Sequence, residues 1–376
     1  MRASRAVAFR SILVASSVLL ALGAAELAAR AVDAARPVRE LRGLHELRPD
    51  RRWIYGLRPG AEGRLPASGD VPYRINEDGF RGPRHARPKP GGVFRIVVLG
   101  DSISFGYGVT EPEAWPRLLE ASLASEASDA SGPRVEVVNL AVGGYNAFNE
   151  ARLLEDVGLG YEPDLVLVQF CINDLNDPTL HFDAQTRLHL ADIPDEAYPD
   201  PAQRRVAARE PSAWLRACRR SRLCAGLDDL RLAVAAREPD DEMRRAAGAP
   251  IERPGPEWDW LEARYLEMAA AAERGGARFA VLAFPYREQL RGPDPHPVQQ
   301  KLGELASRHG WVVVDPLPAF RSAARGAPLF LDWWHPSAAG QRAAAQAALR
   351  ALACDAPLLP VSRGSCLRHA DAAPSR

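Results

Sequence analysis

The stretch "RIVVLGDSISFGYGVTEPEAW", residues 95–115, leads a run of β-branched and leucine residues directly into Gly100, Asp101 and Ser102. Its apolar first part predicts a buried β-strand, and "EPEAWPRLLEASLAS" predicts a helix with Pro and Glu near its first turn. A serine between a strand and a helix has two interpretations. It caps the helix, for which serine is a preferred residue, or its hydroxyl is held at the open end of a sheet, where it can attack a substrate.

Strands and helices continue to alternate along the chain. The further predicted strands are "RVEVVNLAV", "PDLVLVQFCIND", "ARFAVLAFP" and "WVVVDP", and helical patterns separate them. The strand "PDLVLVQFCIND" is a continuous apolar run, which is typical of a parallel sheet covered on both faces. The sequence therefore predicts an α/β fold with three layers, in which helices flank a parallel sheet.

Segments outside this alternation divide the chain into predicted regions. Residues 36–92, with many Pro, Arg and Gly and little periodicity, predict an extended lead-in to a domain over 93–355. Within that domain, residues 177–256 carry only short helical patterns, which indicate an insertion or lid. The Pro-, Ser- and Arg-rich residues 356–376 predict a disordered tail.

Residues 1–35 predict export from the cytoplasm. Arg2, Arg5 and Arg10 precede the uncharged stretch "SILVASSVLLALGAA". A charged start, an apolar run of about 7–15 residues and small residues behind it are typical of a signal peptide. The helical pattern continues through "ELAARAVDAA", so a retained membrane anchor is the alternative. Either form places the rest of the chain outside the cytoplasm, as a periplasmic, extracellular or membrane-anchored protein.

Composition argues against several classes of partner. The chain has 376 residues and a formal net charge of zero, so no global field indicates nucleic acid, and we expect no nucleic-acid partner. None of the Cys and His spacings suggests a metal site, and we expect no metal and no cofactor. The 47% hydrophobic content suits a globular protein with a sizeable core.

The cysteines agree with an oxidising compartment. Cys218 and Cys224 lie close together, and Cys354 and Cys366 bracket the C-terminal tail. Two local disulfides at these positions are a hypothesis that suits an exported protein. Cys171 is left over inside a strand-like run, where we expect a small buried hydrophobe and not a nucleophile.

Ligands of open parallel sheets bind at the carboxyl ends of the strands, so the residues behind each predicted strand are the candidates for a site. Ser102 follows the first strand, Gly144 of "AVGGYN" the second and Asn173 the third. Asp332 and His335 precede the last predicted helix. All of these side chains or backbone groups would meet at one edge of the sheet.

Each candidate suits one role in nucleophilic catalysis. Asp332 and His335 would share one face of a helical turn, where the carboxylate fixes the tautomer that leaves the other ring nitrogen free to take a serine proton. Gly144 would offer an unobstructed N–H, and Asn173 its amide, to a developing oxyanion. The structural alternatives are a helix cap at Asp332 beside a core histidine, a tight turn at the glycines and an Asx-turn at Asn173.

Together, the blocks "GDSIS", "NLAVGGYN", "CIND" and "DWWHP" resemble those of the SGNH, or GDSL-type, hydrolase superfamily, in particular its exported bacterial members. The resemblance covers roughly residues 93–350 and implies a three-layer α/β/α fold of flavodoxin-like topology. It implies that Ser102 is the nucleophile, His335 the base and Asp332 the residue that orients the base. It also implies three oxyanion donors, which are the N–H groups of Ser102 and Gly144 and the amide of Asn173.

One position departs from the pattern of the superfamily. The third block usually reads Gly-x-Asn-Asp, and Cys171 stands where the glycine would be. The extra bulk would tighten the floor beneath Asn173 or shift its amide.

The resemblance implies a serine esterase that acts through an acyl-serine intermediate. The expected partner is a small-molecule or glycan ester, such as a short-chain or acetyl ester of a carbohydrate or lipid. An O-acyltransferase that modifies surface polysaccharide with the same triad is the alternative, and a non-catalytic binding module is a third reading. Trp333 and Trp334 are candidates for an apolar or sugar-stacking wall, and buried packing is the expected role for one of them.

Overall fold

The computed structural model describes residues 2–35, 44–48, 53, 55–65, 71–127, 132–175, 221, 255–291 and 296–360. The predicted insertion over 177–256 lies almost wholly outside these residues. Cys218, Cys224 and Cys366 lie outside them too, as does most of the predicted tail. Cys354 is disulfide-bonded.

Helix α1, Arg2–Ala35, belongs to the first of two compact units, which comprises Met1–Pro37 and Ala208–Arg244. Within α1, Leu13–Ala31 form a 19-residue window with a mean hydropathy of 1.6. Among the described residues, α1 is the one helix that is long and apolar enough to cross a bilayer, a test that a signal sequence also passes.

The second unit, Val38–Ala207 with Arg245–Arg376, begins with the segment predicted to be an extended lead-in. In its described part, β1, His45–Leu47, pairs antiparallel with β2, Tyr55–Leu57, and β3, Glu62–Leu65, pairs antiparallel with β4, Val71–Arg74. Strands of three or four residues carry too little alternation to be recognised from sequence, which explains why the pattern indicated only extended chain.

Buried side chains pack this lead-in onto the rest of the unit. Tyr55 and Tyr73 are almost fully buried. The guanidinium of Arg81, also buried, donates to the carbonyl oxygens of Phe105 at 2.9 Å and Val109 at 2.8 Å. The lead-in is therefore part of the packed structure around the sheet.

The core of the second unit is a five-stranded parallel sheet. Its strands are β5, Val93–Leu99; β6, Arg134–Asn139; β7, Leu165–Phe170; β8, Arg278–Ala283; and β9, Val312–Val314. They lie in the order β6-β5-β7-β8-β9, which is the flavodoxin-like order when the strands of this sheet are counted alone. Because successive residues point to opposite faces, the complete burial of residues 96–99 of β5 shows that both faces of the sheet are covered.

Helices supply the two outer layers. They are α2, Ser102–Phe105; α3, Trp115–Ala127; α4, Ala147–Asp156; α5, Pro256–Arg274; α6, Pro297–His309; α7, Leu317–Ala323; and α8, Ala338–Arg350. Helix α3 packs against α8, and α4 packs against α5. The prediction of a three-layer α/β/α fold with a parallel sheet is confirmed.

Candidate active site

Ser102 is the first residue of α2, directly behind β5. The helix is capped by Asp101, whose carboxylate accepts the N–H of Ile103 at 2.9 Å. Ser102 itself does not cap the helix, because its Oγ lies 2.8 Å from Nε2 of His335. The structure therefore places the Ser102 hydroxyl against His335 and not in a helix cap.

The turn that carries Ser102 is held by buried polar contacts. A Cβ on Gly100 would lie 2.7 Å from Oε1 of Gln169 and 2.8 Å from Oγ of Ser104, so any larger residue would displace these buried side chains. The hydroxyl of Ser104 donates to the same Oε1 at 2.9 Å and accepts the indole N–H of Trp115 at 3.0 Å. Gln341 of α8 accepts the backbone N–H of Trp115 and donates to a carbonyl of α2. Two helices, α3 through Trp115 and α8 through Gln341, therefore hold the turn in place.

His335 stands between Ser102 and a carboxylate. Its Nδ1 lies 2.6 Å from Oδ2 of Asp332. Burial raises the pKa of Asp332, but the hydrogen bonds and charge of His335 outweigh burial and leave this pKa below its ordinary value. An ionised carboxylate only accepts hydrogen bonds, so Nδ1 carries the proton, and Nε2 of the neutral ring can accept the proton of Ser102.

The backbone around this pair differs from the predicted helical turn. Oδ1 of Asp332 accepts the N–H groups of Trp334 at 3.0 Å and of His335 at 2.7 Å, which makes an Asx-type bend. Pro336 disfavours a helical conformation at the residue before it, which explains why no helical turn forms. The last helix, α8, is capped by Ser337 and not by Asp332. The three-residue spacing correctly predicted the contact between Asp332 and His335, but the helical turn predicted for their backbone was wrong.

The candidate oxyanion donors lie behind three neighbouring strands, β6, β5 and β7. Gly144 has φ of 84°, a conformation that favours glycine. Asn173 lies in a 3-10 turn, Ile172–Leu175, and its Nδ2 donates one hydrogen to the carbonyl of Tyr145 at 2.9 Å. An amide NH₂ has two hydrogens, and the Asn173 side chain also hydrogen-bonds the carboxylate of Asp101. Among the described residues, no hydrogen-bond acceptor takes the N–H of Ser102 or Gly144.

Cys171 is buried and free, and its backbone N–H donates to Asp174 at 2.9 Å. Burial raises the pKa of its thiol well above the ordinary value, which keeps the sulfur protonated and unreactive. The buried thiol lies beside Asn173, because the backbone N–H groups of Ile172 and Asn173 hydrogen-bond its sulfur.

Trp333 and Trp334 do not form an exposed wall. Their exposed fractions are 3% and 8%, and Trp333 packs against Tyr286 with ring centroids 4.7 Å apart. The exposed aromatic surface beside the imidazole comes instead from Tyr107, which was not among the residues predicted from the sequence. Its ring stacks on His335 at 4.1 Å, and the side chain is partly exposed. The sequence contained a signal for this residue, since in "FGYG" two glycines flank an aromatic residue shortly after the serine turn.

A second unanticipated residue is Tyr55 of β2. Its hydroxyl donates to the carbonyl of Gly143 at 3.2 Å, so the lead-in reaches the loop that carries Gly144. No local sequence signal marks this contact, since the two residues are 88 positions apart. Among the residues that the structure describes, no group of three or more His, Cys, Asp or Glu could hold a metal ion.

A flavodoxin-like sheet with a Ser–His–Asp arrangement at its carboxyl edge defines a class of α/β proteins built for nucleophilic chemistry on a serine. The model of the GDSL-like lipase/acylhydrolase family matches residues 98–343, well over half of the chain. The chain belongs to the GDSL-like lipase/acylhydrolase family. The family predicted from the four sequence blocks is confirmed.

Individual relatives are more distant. An arylesterase from Vibrio mimicus is 34% identical over 80 residues, a match that spans 21% of this chain and 38% of that relative. The solved structure of TesA is 18% identical, covers 70% of this chain and 99% of its own, and superposes with a TM-score of 0.41. A catalytic mutant of the acetylxylan esterase Axe2 from Geobacillus stearothermophilus is 15% identical, covers 69% of this chain and 94% of its own, and has a TM-score of 0.39.

Proposed function

We propose that this protein is a serine esterase that hydrolyses acyl esters through an acyl-serine intermediate. The observation that carries the proposal is the continuous contact from Ser102 Oγ to His335 Nε2 at 2.8 Å and from His335 Nδ1 to Asp332 Oδ2 at 2.6 Å. Both distances lie within the range of direct proton transfer and orientation in a nucleophile–base pair.

The proposed reaction has two halves. Ser102 Oγ attacks the carbonyl carbon of the ester while Nε2 of His335 takes the hydroxyl proton, and the same proton then passes to the oxygen of the leaving alcohol. In the second half, water attacks the acyl carbon with His335 again as base. The bond from this carbon to Ser102 Oγ then breaks, the proton on His335 returns to Oγ, and the carboxylic acid leaves. Asp332 remains ionised throughout and stabilises the imidazolium that forms in each half.

The N–H groups of Ser102 and Gly144 and the Nδ2 of Asn173 are the proposed oxyanion donors. Their support is position, since they follow the three neighbouring strands whose carboxyl ends surround Ser102. Each donor is expected to contribute on the order of 3 kcal/mol in the transition state, because it faces charge that develops only there.

The proposed substrate is a short-chain or acetyl ester of a carbohydrate or lipid. Tyr107 supports this class, because its partly exposed ring beside His335 offers an apolar face to an acyl chain or a sugar ring and a hydroxyl to water. Burial raises the pKa of Tyr107 to about 12, which keeps the phenol neutral.

We propose that α1 exports the protein or anchors it at a membrane. Leu20 and Leu27 are 75% and 69% exposed, so the apolar surface of α1 suits lipid. The two charged residues inside the window Leu13–Ala31, Glu26 and Arg30, pair with each other at 2.8 Å. The disulfide-bonded Cys354 supports an oxidising compartment, and the basic residues before the apolar window favour a catalytic unit outside the cytoplasm.

The substitution Ser102→Ala tests the function. We expect the full chain with Ser102→Ala to lose hydrolysis of p-nitrophenyl acetate while its thermal unfolding stays that of the wild type, because only the nucleophilic oxygen is removed. Ser122→Ala is the matched control, since the Ser122 hydroxyl donates to the carbonyl of Leu118 inside α3, away from the site. Undiminished turnover in Ser102→Ala would overturn the assignment.

The same assay defines the substrate class. Esters of increasing acyl length and acetylated oligosaccharides are compared as donors, and the products are separated in the presence of an unacetylated oligosaccharide. Free acetate as the dominant product supports the hydrolase. An acetylated acceptor as the dominant product would replace it with the acyltransferase, in which the acceptor hydroxyl outcompetes water.

A further inference from the structure

The peptide unit between Gly143 and Gly144 is held from behind by the lead-in. Its carbonyl oxygen belongs to Gly143 and its N–H to Gly144, and in a trans peptide these two groups point in opposite directions. The hydroxyl of Tyr55 donates to this carbonyl oxygen at 3.2 Å in a buried environment. The contact therefore fixes the end of the peptide that is opposite to the proposed oxyanion donor.

The contact is part of a reciprocal pair of tyrosines. The hydroxyl of Tyr145, the residue after Gly144, donates to the backbone carbonyl of Tyr55 at 2.5 Å. The two rings meet edge to face, with centroids 5.0 Å apart and an interplanar angle of 88°. Each tyrosine thus holds the backbone of the segment that carries the other, and both side chains are almost fully buried.

The same segment also holds the third proposed donor. The carbonyl of Tyr145 accepts one N–H of Asn173 at 2.9 Å. A displacement of the loop of residues 143–145 would therefore move the N–H of Gly144 and the amide of Asn173 together. Because Gly144 has φ of 84° and no side chain, its own backbone restrains the peptide weakly, and an external contact is needed to fix the direction of the N–H.

We propose that Tyr55 is a positioning residue for catalysis, which acts by holding the Gly143–Gly144 peptide so that the N–H of Gly144 points at the oxyanion. This inference rests on the proposed esterase function and deepens it, since it assigns to the lead-in a role in the chemistry of the sheet domain. Donation to the carbonyl oxygen also polarises the amide, which makes its N–H a stronger donor.

The protonation state of Tyr55 suits this role. Burial raises the pKa of Tyr55 well above its ordinary value, so the hydroxyl stays protonated and remains a donor over the whole range in which an esterase works.

The test is Tyr55→Phe, which deletes one hydroxyl and keeps the ring. A preorganised donor acts on the transition state and not on the bound ester, so we expect kcat to fall by about 10- to 100-fold with KM unchanged. The affinity of a boronic acid that forms a tetrahedral adduct with the serine is expected to fall with kcat. If the contact were merely structural, Tyr55→Phe would change the Kd of the boronic acid and the KM of the ester by the same factor.

Tyr73→Phe is the matched control. Tyr73 is another buried tyrosine of the lead-in, and its hydroxyl accepts the N–H of Gly108 at 2.7 Å, in a different loop from residues 143–145. We expect kcat of Tyr73→Phe to stay within about twofold of the wild type, because the hydrogen bond to Gly108 does not restrain a proposed oxyanion donor. Wild type and Ser102→Ala are assayed beside both variants.

The outcomes separate the two proposals. An inactive wild type, or an active Ser102→Ala, overturns the esterase itself. The role of Tyr55 alone is overturned if the wild type is active but Tyr55→Phe has the same kcat as Tyr73→Phe. It is overturned in the same way if Tyr55→Phe changes only KM. Should Tyr55→Phe yield no folded protein, Tyr145→Phe takes its place, since it removes the other half of the pair. A fall in kcat at unchanged KM then supports the inference, and wild-type kcat overturns it.

Discussion

Glu150 lies fully buried in the first turn of α4, and neither of its carboxylate oxygens has a hydrogen-bond partner among the described residues. Burial raises its pKa well above the ordinary value, and the charges of Asp174 and Asp101 raise it further. The folded protein therefore favours the protonated form of this side chain. A buried carboxyl with a raised pKa stabilises the fold at low pH, and the stabilisation is lost as the pH rises through the folded-state pKa.

The substitution Glu150→Gln tests this account through the pH dependence of stability. Above the unfolded-state pKa of about 4.3, the wild type takes up a proton on folding, so its free energy of unfolding falls with pH by up to about 1.4 kcal/mol per unit. Glutamine does not titrate, so its contribution to the free energy of unfolding does not depend on pH. We therefore expect Glu150→Gln to become progressively more stable relative to the wild type between pH 5 and pH 8. Urea unfolding at each pH measures the difference.

Glu273→Gln is the control for this measurement, because Glu273 is exposed near the end of α5. We expect it to leave the slope of stability against pH unchanged. A constant difference between Glu150→Gln and the wild type across the range would contradict a raised pKa at Glu150.

At the scale of one element, the two ends of β5 place polar residues for different purposes. Its carboxyl end leads to Ser102, and its amino end contains Arg95, which is fully buried. The guanidinium of Arg95 donates to Glu136 of the neighbouring strand at 3.0 Å and to the carbonyls of Ala86 and Tyr161. A charged residue in an otherwise apolar strand thus joins β6, the lead-in and the turn before β7.

We expect Arg95→Met to reduce the free energy of unfolding by about 3–5 kcal/mol, because it leaves the largely buried carboxylate of Glu136 without its buried charge partner. The double variant Arg95→Met/Glu136→Leu should recover part of this loss, since it removes the uncompensated charge. Urea unfolding measures both variants. Because Arg95 lies at the amino end of β5, kcat should not change.

Arg134→Met is the control in the same strand pair. Arg134 also pairs with Glu136, but its own side chain is 66% exposed and solvent screens its charge, so we expect a loss of less than about 1 kcal/mol. Equal losses in Arg95→Met and Arg134→Met would show that burial does not set the energy of this pair.

Elements with a long, uniform hydrophobic pattern were predictable from the sequence. Short elements, and contacts that depend on tertiary packing, were not. The apolar runs predicted β5 and β7 because strands buried on both faces need no polar alternation. Helix α7, seven residues that begin after Pro316, was missed because it spans only two turns. The strand-end argument brought Ser102 and His335 to one edge, where they are in contact, but it could not reveal Tyr55, whose contact with Gly143 depends on tertiary packing.

At the scale of the whole molecule, the lead-in and the sheet share one packed core. Tyr55, Tyr73 and Arg81 are all buried, and each donates or accepts a hydrogen bond at the loops behind β5 and β6. Removal of the lead-in would expose these loops and leave several buried carbonyls without donors. The sheet domain is therefore not expected to be independent of the residues before it.

Two truncated chains test this dependence. A chain that begins at residue 36 keeps the lead-in, and we expect it to be soluble and to unfold cooperatively in urea. A chain that begins at residue 93, where β5 starts, should aggregate or unfold at clearly lower urea concentration, because it exposes apolar surface around β5 and β6. Size-exclusion chromatography and urea unfolding compare the two. A well-folded monomer from residue 93 would contradict a shared core.

Ser102 and His335 are 233 positions apart, so the hydroxyl is synthesised long before its base. A nascent polypeptide that has not reached His335 holds the rest of the sheet edge but cannot activate the serine. Reactivity therefore requires that the chain be synthesised through His335.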